Sequence, residues 1–427
     1  MRPARALAGS AWCAFELGDD AACAAALGRA RVHPAAAVEL AGLLELQSAL
    51  HHRQKAWPEA IAAAKAFLEQ FPKHAKAPAM RYALGTAQAR NGDHKAARAT
   101  LAKLSADGGY ERADRVEYEL AWACRRDGDE AAALRAFTKV AAGSNDVELA
   151  GEANLHLGAA ALDKKDLASA RSRLPKVQGS HRGAALYRLA FAEFEAAGPS
   201  TGAQTGPQNA AQLVIARDLF GTIAALPGET LAGEALYLGA ECCHRLGDLR
   251  AASERLQQLL KADAQHARAD RARLLLGECA VGLGDGNTAV PALEQFLRGG
   301  ERDRADAARA HLWLGRARMQ RGEHDKAEVS LQKVTELSDG PLAAEAQFRL
   351  GENREKGGNL MGAADAYVKL SILYAHAEWV RRGLLHAGLV YEQLKQPEKA
   401  QRLFRELVQK YADSEEAKAA QPHLRDG

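Results

Sequence analysis

The residues best able to do chemistry in this sequence are its six cysteines and fourteen histidines. The run Cys242-Cys243-His244 has the residue types of a zinc site. Adjacent residues on a helix, however, point about 100° apart, so these three side chains cannot share one tetrahedral ion. The pair His51-His52 fails for the same reason. We therefore predict no metal site and interpret the cysteines as small buried side chains.

Neither the acidic pairs nor the glycine-rich segments form a catalytic pattern. Asp19-Asp20 and Glu415-Glu416 fall at turns or helix starts, where carboxylates complement the helix dipole. The glycine-rich residues 282–286 lie between predicted helices, which does not suit a phosphate-binding loop. The motifs GxxxxGK(S/T), HExxH and GxSxG are absent from the sequence. We predict no catalytic residue, no cofactor and no enzymatic activity.

Composition indicates a folded chain with nearly balanced charge. Of 427 residues, 47% are hydrophobic and 26% are charged, and the formal net charge is +3. The apolar content suffices for a folded core, whereas the weak net charge argues against a nucleic-acid partner. A solenoid that reads one base per repeat would need a basic face, and none is evident. No run reaches the roughly 18 apolar residues that a membrane span requires.

A small residue recurs every 36 to 38 residues along the chain, apart from one spacing of 46. In residues 78–105, an apolar stripe at helical spacing, a turn at 91–93 and a second stripe predict two helices joined by a turn. One such pair cannot bury its stripe alone, so the pairs must stack into a solenoid. The recurring small residues are Cys23, Ala60, Ala97, Ala133, Ala170, Ala216, Ala252, Ala289, Ala327, Ala363 and Ala400.

Two further positions of the repeat predict how the paired helices pack. Glycines on the first helix are expected to lie opposite the alanines of the second, because helices approach closely only where neither side chain is bulky. A large residue four positions after the alanine would fill the space beside that contact. The glycines are Gly85, Gly158, Gly277, Gly315, Gly351 and Gly388, and the large residues are Leu101, Phe137, Leu174, Phe220, Leu256, Leu293, Leu331, Tyr367 and Phe404.

The single long spacing coincides with a segment rich in Pro, Gly, Ser, Thr and Gln at residues 199–212. This composition predicts a flexible loop in the turn of the sixth repeat, either a hinge or an inert insertion. We predict an all-α solenoid of about eleven helix-turn-helix repeats. Its parts are an N-terminal array at 4–198, the loop at 199–212, a C-terminal array at 213–412, and a capping helix and tail at 413–427.

These repeats resemble the tetratricopeptide repeat (TPR) family. The shared features are the Leu-Gly pair, the Gly-Asp turn, the alanine of the second helix and the Phe or Leu after it. The period exceeds the usual length of about 34 residues. In length the repeats resemble those of bacterial envelope proteins of outer-membrane assembly and the Tol-Pal system. The junctions at residues 63–78 and 404–420 also resemble the junctions between repeats of those proteins. The resemblance implies a right-handed α-solenoid and a non-catalytic scaffold for other proteins or peptide segments.

The resemblance also implies that a partner lies along a concave face formed by the first helix of each repeat. Projection at the helical period places charged and aromatic residues there, and such side chains often dominate binding energies. The fourth repeat is basic and aromatic and the tenth is acidic, which would orient a segment with an acidic and a basic part. The alternative is that these are solvated or packing residues. The predicted partner-binding residues are Trp12, Tyr82, Arg115, Tyr118, Trp122, Arg125, Arg126, Tyr237, Glu241, His244, Arg245, Arg309, Arg316, Glu345, Phe348, Glu352 and Glu355.

One class of TPR ligand is not expected. Chaperone-docking members resemble one another in a Lys and Asn clamp for a C-terminal carboxylate. No Lys and Asn pair occupies the corresponding positions here, so we expect no EEVD-type chaperone tail as a partner. Those positions hold Tyr82, Thr86, Tyr118, Trp122, Leu155 and Ala159.

The start of the chain leaves the compartment open. Residues 1–15 only faintly resemble a signal peptide, because Gly9 and Ser10 break the apolar stretch, and they also fit the repeat pattern, so we do not predict a signal peptide there. The chain is interpreted as an array that begins abruptly, with a longer N-terminus missing or as a fragment. The envelope resemblance favours the periplasm if an export signal is missing, and otherwise the chain is cytoplasmic.

The main hypothesis is a scaffold in a bacterial envelope assembly. The alternative is a regulatory or sensor region cut from a larger signalling protein, such as a kinase or transcription factor.

Overall fold

Every regular element in the described part of the chain is a helix. The computed structural model describes residues 2–33, 36–199, 206–300 and 303–424. Three short 3-10 helices lie at Leu174–Lys176, Gly179–His181 and Gln421–His423. The α-helices are α1 (Arg2–Glu16), α2 (Asp20–Val32), α3 (Ala36–Arg53), α4 (Trp57–Gln70), α5 (Ala77–Arg90), α6 (His94–Asp107), α7 (Ala113–Arg126), α8 (Glu130–Gly143), α9 (Val147–Asp163), α10 (Leu167–Arg173), α11 (Arg182–Ala196), α12 (Pro207–Ala224), α13 (Ala232–Arg245), α14 (Leu249–Ala262), α15 (Ala269–Gly282), α16 (Gly286–Arg298), α17 (Arg304–Gln320), α18 (His324–Leu337), α19 (Pro341–Lys356), α20 (Leu360–Leu373), α21 (Ala377–Gln393), α22 (Pro397–Lys410) and α23 (Glu415–Ala420).

The helices form consecutive antiparallel pairs, which confirms the predicted all-α solenoid. Within the described ranges, α1 to α22 make eleven pairs, and α23 follows them. Consecutive helices pack against each other within each unit, as α7 does with α8 and α17 with α18. The chain divides into two compact units, Met1–Leu189 and Ala190–Gly427. Stacking of pairs within each unit buries the apolar stripe that a single pair would leave exposed.

The predicted loop at 199–212 is shorter in the structure. Helix α12 already begins at Pro207, so residues 207–212 are helical. Proline suits this first helical position because its missing N–H has no helical partner there. The remainder of the predicted loop, residues 200–205, lies outside the described residues. The unit boundary falls within α11, about ten residues before this segment.

The predicted C-terminal capping helix is short. It covers only Glu415–Ala420, and the side chain of Ser414 caps it by accepting a hydrogen bond from Ala417 N. Ala417 and Ala420 are both fully buried against the last helix pair. Residues 425–427 of the predicted tail lie outside the described residues.

The turns between paired helices share one backbone conformation in the described part of the chain, apart from the connection between α11 and α12, which includes residues 200–205. Their left-handed residue is usually glycine, as at Gly92 and Gly284, whereas Lys55, Lys165 and Lys395 adopt the same positive φ in their turns. The next residue's N–H donates back to a carbonyl five residues earlier, as Asp285 N does to Ala280 O. This six-to-one bond is that of a Schellman motif, which ends one helix while the next residue caps the following helix.

The aspartate of this turn is expected to stabilise the second helix. Asp285 Oδ1 accepts a hydrogen bond from Thr288 N at 3.0 Å, and the hydrogen bonds from Thr288 lower the pKa of Asp285 below its ordinary value. Asp285→Ala should cost about 1 kcal/mol of unfolding free energy at neutral pH, because the amide loses its cap. Urea denaturation of both proteins measures the difference.

The pH dependence of that difference has a definite sign. Because the pKa is lower in the folded state, the contribution of the charge is complete at neutral pH and is lost as the pH falls through the lowered value. The matched control is Asp285→Asn, which retains a capping oxygen and should lose only part of the stability. A difference between wild type and Asp285→Asn that grows on acidification would contradict the assignment.

The recurring small and large residues of the second helices form the centre of each pair, as predicted. The eleven small residues from Cys23 to Ala400 and the nine large residues from Leu101 to Phe404 are all 0% exposed. The role predicted for the glycines needs a correction. A Cβ on Gly277 would meet Leu293 Cγ at 2.4 Å, and one on Gly351 would meet Tyr367 Cε1 at 2.4 Å. The glycines therefore make room first for the large residue, and the backbone of the paired alanine also lies near, since a Cβ on Gly315 would be 3.5 Å from Ala327 O.

Most cysteines are buried, as predicted, but Cys13 is exposed. It lies on the outer side of α1, where the alanine-rich sequence does not distinguish a core position from a solvated one. Burial raises the pKa of Cys242 and of Cys279 to about 12, which keeps both as thiols. No helix within the described ranges is both long and apolar enough to cross a lipid bilayer.

Candidate functional site

The first helices of consecutive pairs line a cleft of about 890 Å³ in the second unit. Five predicted partner-binding residues meet there, four from α13 and one from α17. Helix α15 lies between them and supplies side chains that the sequence analysis did not select. We call this site the Glu241 cleft. The predicted residues are Tyr237, Glu241, His244, Arg245 and Arg309, and those that were missed include Arg271, Leu274, Leu275, Glu278, Phe296 and Asp306.

Glu278 is the most fully paired carboxylate of the Glu241 cleft. Its Oε1 lies 3.4 Å from Nε2 of His244, and its Oε2 accepts a hydrogen bond from Arg309. Burial raises the pKa of Glu278, but the bond from His244 and the charge of Arg309 outweigh burial, so the pKa lies below its ordinary value. Glu278 therefore joins three neighbouring first helices through charge-assisted contacts.

Glu241 is less well compensated. Burial raises its pKa, and the nearby charges of Arg245 and Arg268 oppose this effect only in part. No hydrogen bond or ion pair reaches its carboxylate from the described residues. The adjacent Tyr237 is 8% exposed, and burial together with the charge of Glu241 raises its pKa to about 12. A half-buried carboxylate without a partner is costly, and an incoming cation would offset that cost.

The predicted partner-binding residue Arg245 of α13 is bound to other groups of the chain itself. Arg245 donates to the carbonyl oxygens of Ala197 and Gly198, the former at 3.3 Å. Its guanidinium lies 5.0 Å from the centre of the Phe194 ring. These contacts fix Arg245 at the edge of the Glu241 cleft and use much of its hydrogen-bonding capacity.

A smaller cleft of about 220 Å³ lies on the first helices of the first unit, between α5 and α7. Its lining includes Tyr118, Trp122 and Arg126, all of which were predicted. Arg126 lies 6.0 Å from the centre of the Trp122 ring. Glu119, which was not predicted, also lines this cleft, and burial raises its pKa. The fourth repeat is therefore less basic at its surface than the sequence suggested.

Several predicted residues of the first unit support the structure of neighbouring helices. Trp122 packs edge-on to His156 of α9, with ring centres 4.9 Å apart, and burial lowers the pKa of His156. Arg125 pairs with Glu130 at 2.8 Å and contacts Nδ1 of His156 at 3.0 Å. Tyr118 donates a hydrogen bond to Glu152. These side chains connect the fourth and fifth pairs.

The remaining predicted residues of the first unit lie apart from these contacts. Trp12 packs edge-on to Phe15, with ring centres 6.0 Å apart. Tyr82 stacks on Tyr110 at 4.9 Å, and burial raises its pKa to about 12. Arg115 is exposed, and its Nη2 lies 3.5 Å from Oδ2 of Asp146. The structure therefore does not gather these three residues into one site.

The tenth repeat does not present the predicted acidic surface. Arg349 of α19, which the sequence analysis overlooked, contacts Glu345 at 3.4 Å and Glu352 at 2.7 Å. Arg316 contacts Glu345 from α17 at 3.5 Å, and burial lowers the pKa of Arg316. The predicted acidic residues at 345 and 352 are thus balanced within the groove, and a partner would meet little free negative charge there.

Two other predicted residues of the tenth repeat take part in core packing. Glu355 accepts a hydrogen bond from the hydroxyl of Tyr367 at 2.9 Å. Phe348 is only 3% exposed and packs against the rings of Tyr367 and Trp379. Phe348 therefore exposes little of its ring to a partner, because the ring packs in the core between α19 and α21.

Family models match long parts of the chain. One model described as a tetratricopeptide repeat matches residues 53–111, 82–147, 244–295 and 280–336. A second model with the same description matches residues 382–414. Together they cover just over half of the chain, which therefore belongs to the tetratricopeptide repeat family. The comparison with curated proteins found no significant match.

Similar solved structures come from several sources. The C-terminal part of a TPR repeat-containing protein from Cytophaga hutchinsonii is 15% identical, with 64% of this chain and 100% of that chain covered and a TM-score of 0.46. YrrB, described as a TPR protein with an unusual peptide-binding site, is 20% identical, with coverages of 44% and 91% and a TM-score of 0.35. Yeast Tom70 is 13% identical, with coverages of 99% and 96% and a TM-score of 0.33.

Proposed function

We propose that this chain is a non-catalytic scaffold that binds segments of other proteins on the first helices of its repeats. The Glu241 cleft carries the proposal, because four consecutive first helices, α11, α13, α15 and α17, supply apolar and charged side chains to it. Its volume of about 890 Å³ lies in the range of specific ligand sites, which is about 300–1,000 Å³. An extended segment fits such a groove with alternate side chains directed into it.

The chemistry of the cleft suits side-chain recognition rather than catalysis. Its buried Leu274 and Leu275 offer apolar contact, while Glu278 is already neutralised by neighbours from two helices. Because the charges of the groove nearly balance, individual charged side chains rather than an overall field would orient a bound segment. A protein segment with mixed apolar and charged side chains is therefore the partner that we propose.

The test of this function is to find where bound peptides lie. Peptides are selected from a random linear library on the immobilised full chain, and hydrogen exchange is measured by mass spectrometry with and without each one. We expect slower exchange in α13, α15 and α17, since bound segments reduce local opening of the helices they cover. Scrambled versions of the peptides are the control. Failure to enrich any peptide, or protection confined to α14 and α16, would overturn the proposal.

We further propose that the scaffold works within a bacterial multiprotein assembly of the cell envelope. The period of 36 to 38 residues and its resemblance to envelope TPR proteins support this context. Cross-linking of the tagged protein in its own cells, followed by mass spectrometry, tests it. Recovery of envelope assembly or Tol-Pal-like components is the expected result, and recovery of cytoplasmic signalling proteins alone would contradict it.

A further inference from the structure

The repeats of the second unit share a charged contact between neighbouring first helices. Aligning the repeats on the buried residues Leu256, Leu293 and Leu331 makes this contact visible. Glu278 of α15 pairs with Arg309 of α17. At the equivalent position one repeat later, Arg316 of α17 lies 3.5 Å from Glu345 of α19, with the charges reversed. Each contact joins one repeat to the next.

One repeat earlier, the equivalent ion pair is not formed. The equivalent residues are Glu241 of α13 and Arg271 of α15, which have the same charges as Glu278 and Arg309. Arg271 is close enough for its charge to influence the pKa of Glu241, but no ion pair joins the two among the described residues. Arg271 is exposed, whereas Glu241 is half-buried in the Glu241 cleft. The two groups thus lie at different depths, and the deeper one is the carboxylate.

The remaining charges of the Glu241 cleft leave an excess of negative groups. Four carboxylates line the cleft, those of Glu195, Glu241, Glu278 and Asp306, against the three guanidinium groups of Arg245, Arg271 and Arg309, so that one negative charge is in excess when His244 is not counted. Among the described residues, no ion pair reaches Glu195, Glu241 or Asp306. Arg309 is paired with Glu278. Arg245 is held by two carbonyl oxygens and a phenylalanine ring. Charge complementarity therefore favours a cationic ligand.

The walls of the cleft suit the aliphatic part of a basic side chain. Leu274 and Leu275 are 7% and 9% exposed and lie on the helix next to Glu241. Lysine and arginine place their methylene groups on such surfaces while the charged end reaches a polar group. The chain itself shows this arrangement nearby. Arg268 lies 5.4 Å from the centre of the Tyr237 ring and donates to both carboxylate oxygens of Glu234.

We propose that the Glu241 cleft binds a lysine or arginine side chain of an extended segment from another protein. The cation contacts the Glu241 carboxylate, and the methylene groups lie on Leu274 and Leu275. The inference rests on the proposed function, because it names the side chain that the same groove recognises. Glu278 does not perform this role, since His244 and Arg309 already occupy its oxygens.

Peptides that protect α13, α15 and α17 provide the probe for the test. We expect their sequences to share a lysine or arginine at one position. Affinity is measured by calorimetry for wild type and for Glu241→Gln, with each synthetic peptide and with its version in which norleucine replaces that lysine. Each single change should weaken binding by about tenfold or more, because it leaves a partly desolvated charge without its partner.

The combination of both changes shows whether the two groups are in contact. If they are, the double change costs much less than the product of the two single effects. The matched control is Glu254→Gln, on the exposed side of α14, which should leave affinity unchanged. Glu241→Gln removes a desolvated charge, so this variant is expected to fold.

The outcomes separate this inference from the proposed function. Peptides that bind in the cleft but carry acidic or uncharged residues at the shared position would overturn the basic-side-chain inference and leave the scaffold function standing. If the effects of Glu241→Gln and of the norleucine change are simply multiplicative, the basic-side-chain inference is likewise overturned and the scaffold function is left standing. Failure to obtain any peptide that protects these helices would overturn both.

Discussion

Replacing Gly351 with alanine is expected to lower the unfolding free energy by about 2 kcal/mol, although alanine is the better helix former by about 1 kcal/mol. The added Cβ would meet the ring of Tyr367 at 2.4 Å. That ring cannot withdraw easily, because it is 0% exposed, packs against Phe348 and donates its hydroxyl proton to Glu355. Overpacking of a filled core costs about 1–3 kcal/mol and outweighs the gain in helix propensity.

The matched control is Gly42→Ala. Gly42 also lies within a helix, but a Cβ there meets nothing within 4 Å. This change should stabilise α3 by up to about 1 kcal/mol, because it reduces the freedom of the unfolded chain and adds no clash. Urea denaturation and hydrogen exchange in α3 and α19 measure the two effects. The same sign of change at both positions would contradict the assignment of Gly351 to the close helix contact.

Phe404→Ala is expected to cost about 3–5 kcal/mol, the range for removal of a fully buried aromatic ring. Phe404 is 0% exposed on α22, and its ring lies 5.1 Å from the ring of His423 beyond α23. A Cβ on Gly388 of α21 would also meet this ring, so Phe404 fills the space between the two helices of the last pair. Its loss should loosen α21, α22 and α23 together.

The extent of that loosening is a separate expectation. Each pair contacts mainly its neighbours, so the damage should decline along the stack rather than spread evenly. Hydrogen exchange should accelerate most in α21 to α23 and remain unchanged in α3 to α6. Ile372→Ala is the control, since Ile372 is 72% exposed on α20 and its change should stay within about 0.5 kcal/mol. Equal acceleration in all helices would show that the chain unfolds as one cooperative body.

The helix pairs could be predicted from the sequence because their determinants are local. Gly92 ends one helix and Asp93 caps the next, and both residues are adjacent in the chain. The buried Ala97 and Leu101 then recur at helical spacing. The exact role of Gly85 could not be predicted in this way. Its contact with Leu101 depends on how the two helices cross, and a one-dimensional pattern does not contain that angle.

The candidate site was predicted only in part, for a related reason. The helical period placed Glu241 and His244 on one face of α13, and in the structure both line the Glu241 cleft. It did not reveal Glu278, which contacts His244 from the next pair, or Arg349, which neutralises Glu352 on its own helix. The contact between Glu278 and His244 joins helices more than thirty residues apart, so a local pattern does not contain it. Arg349 lies three and four residues from Glu352 and Glu345, a spacing that the sequence does contain and that the helical projection overlooked. The contact of Glu278 is a tertiary property, whereas the face on which a residue lies is a local one.

The repeated turn bears on how a chain of this kind changes in evolution. Gly284 and Lys395 occupy the same left-handed position in their turns. Either residue type can therefore stand at this position without changing the turn. Each of these turns lies within its own pair, so duplication or loss of a whole pair leaves the turns of the other pairs intact. Length variation among descendants should therefore come in steps of one pair.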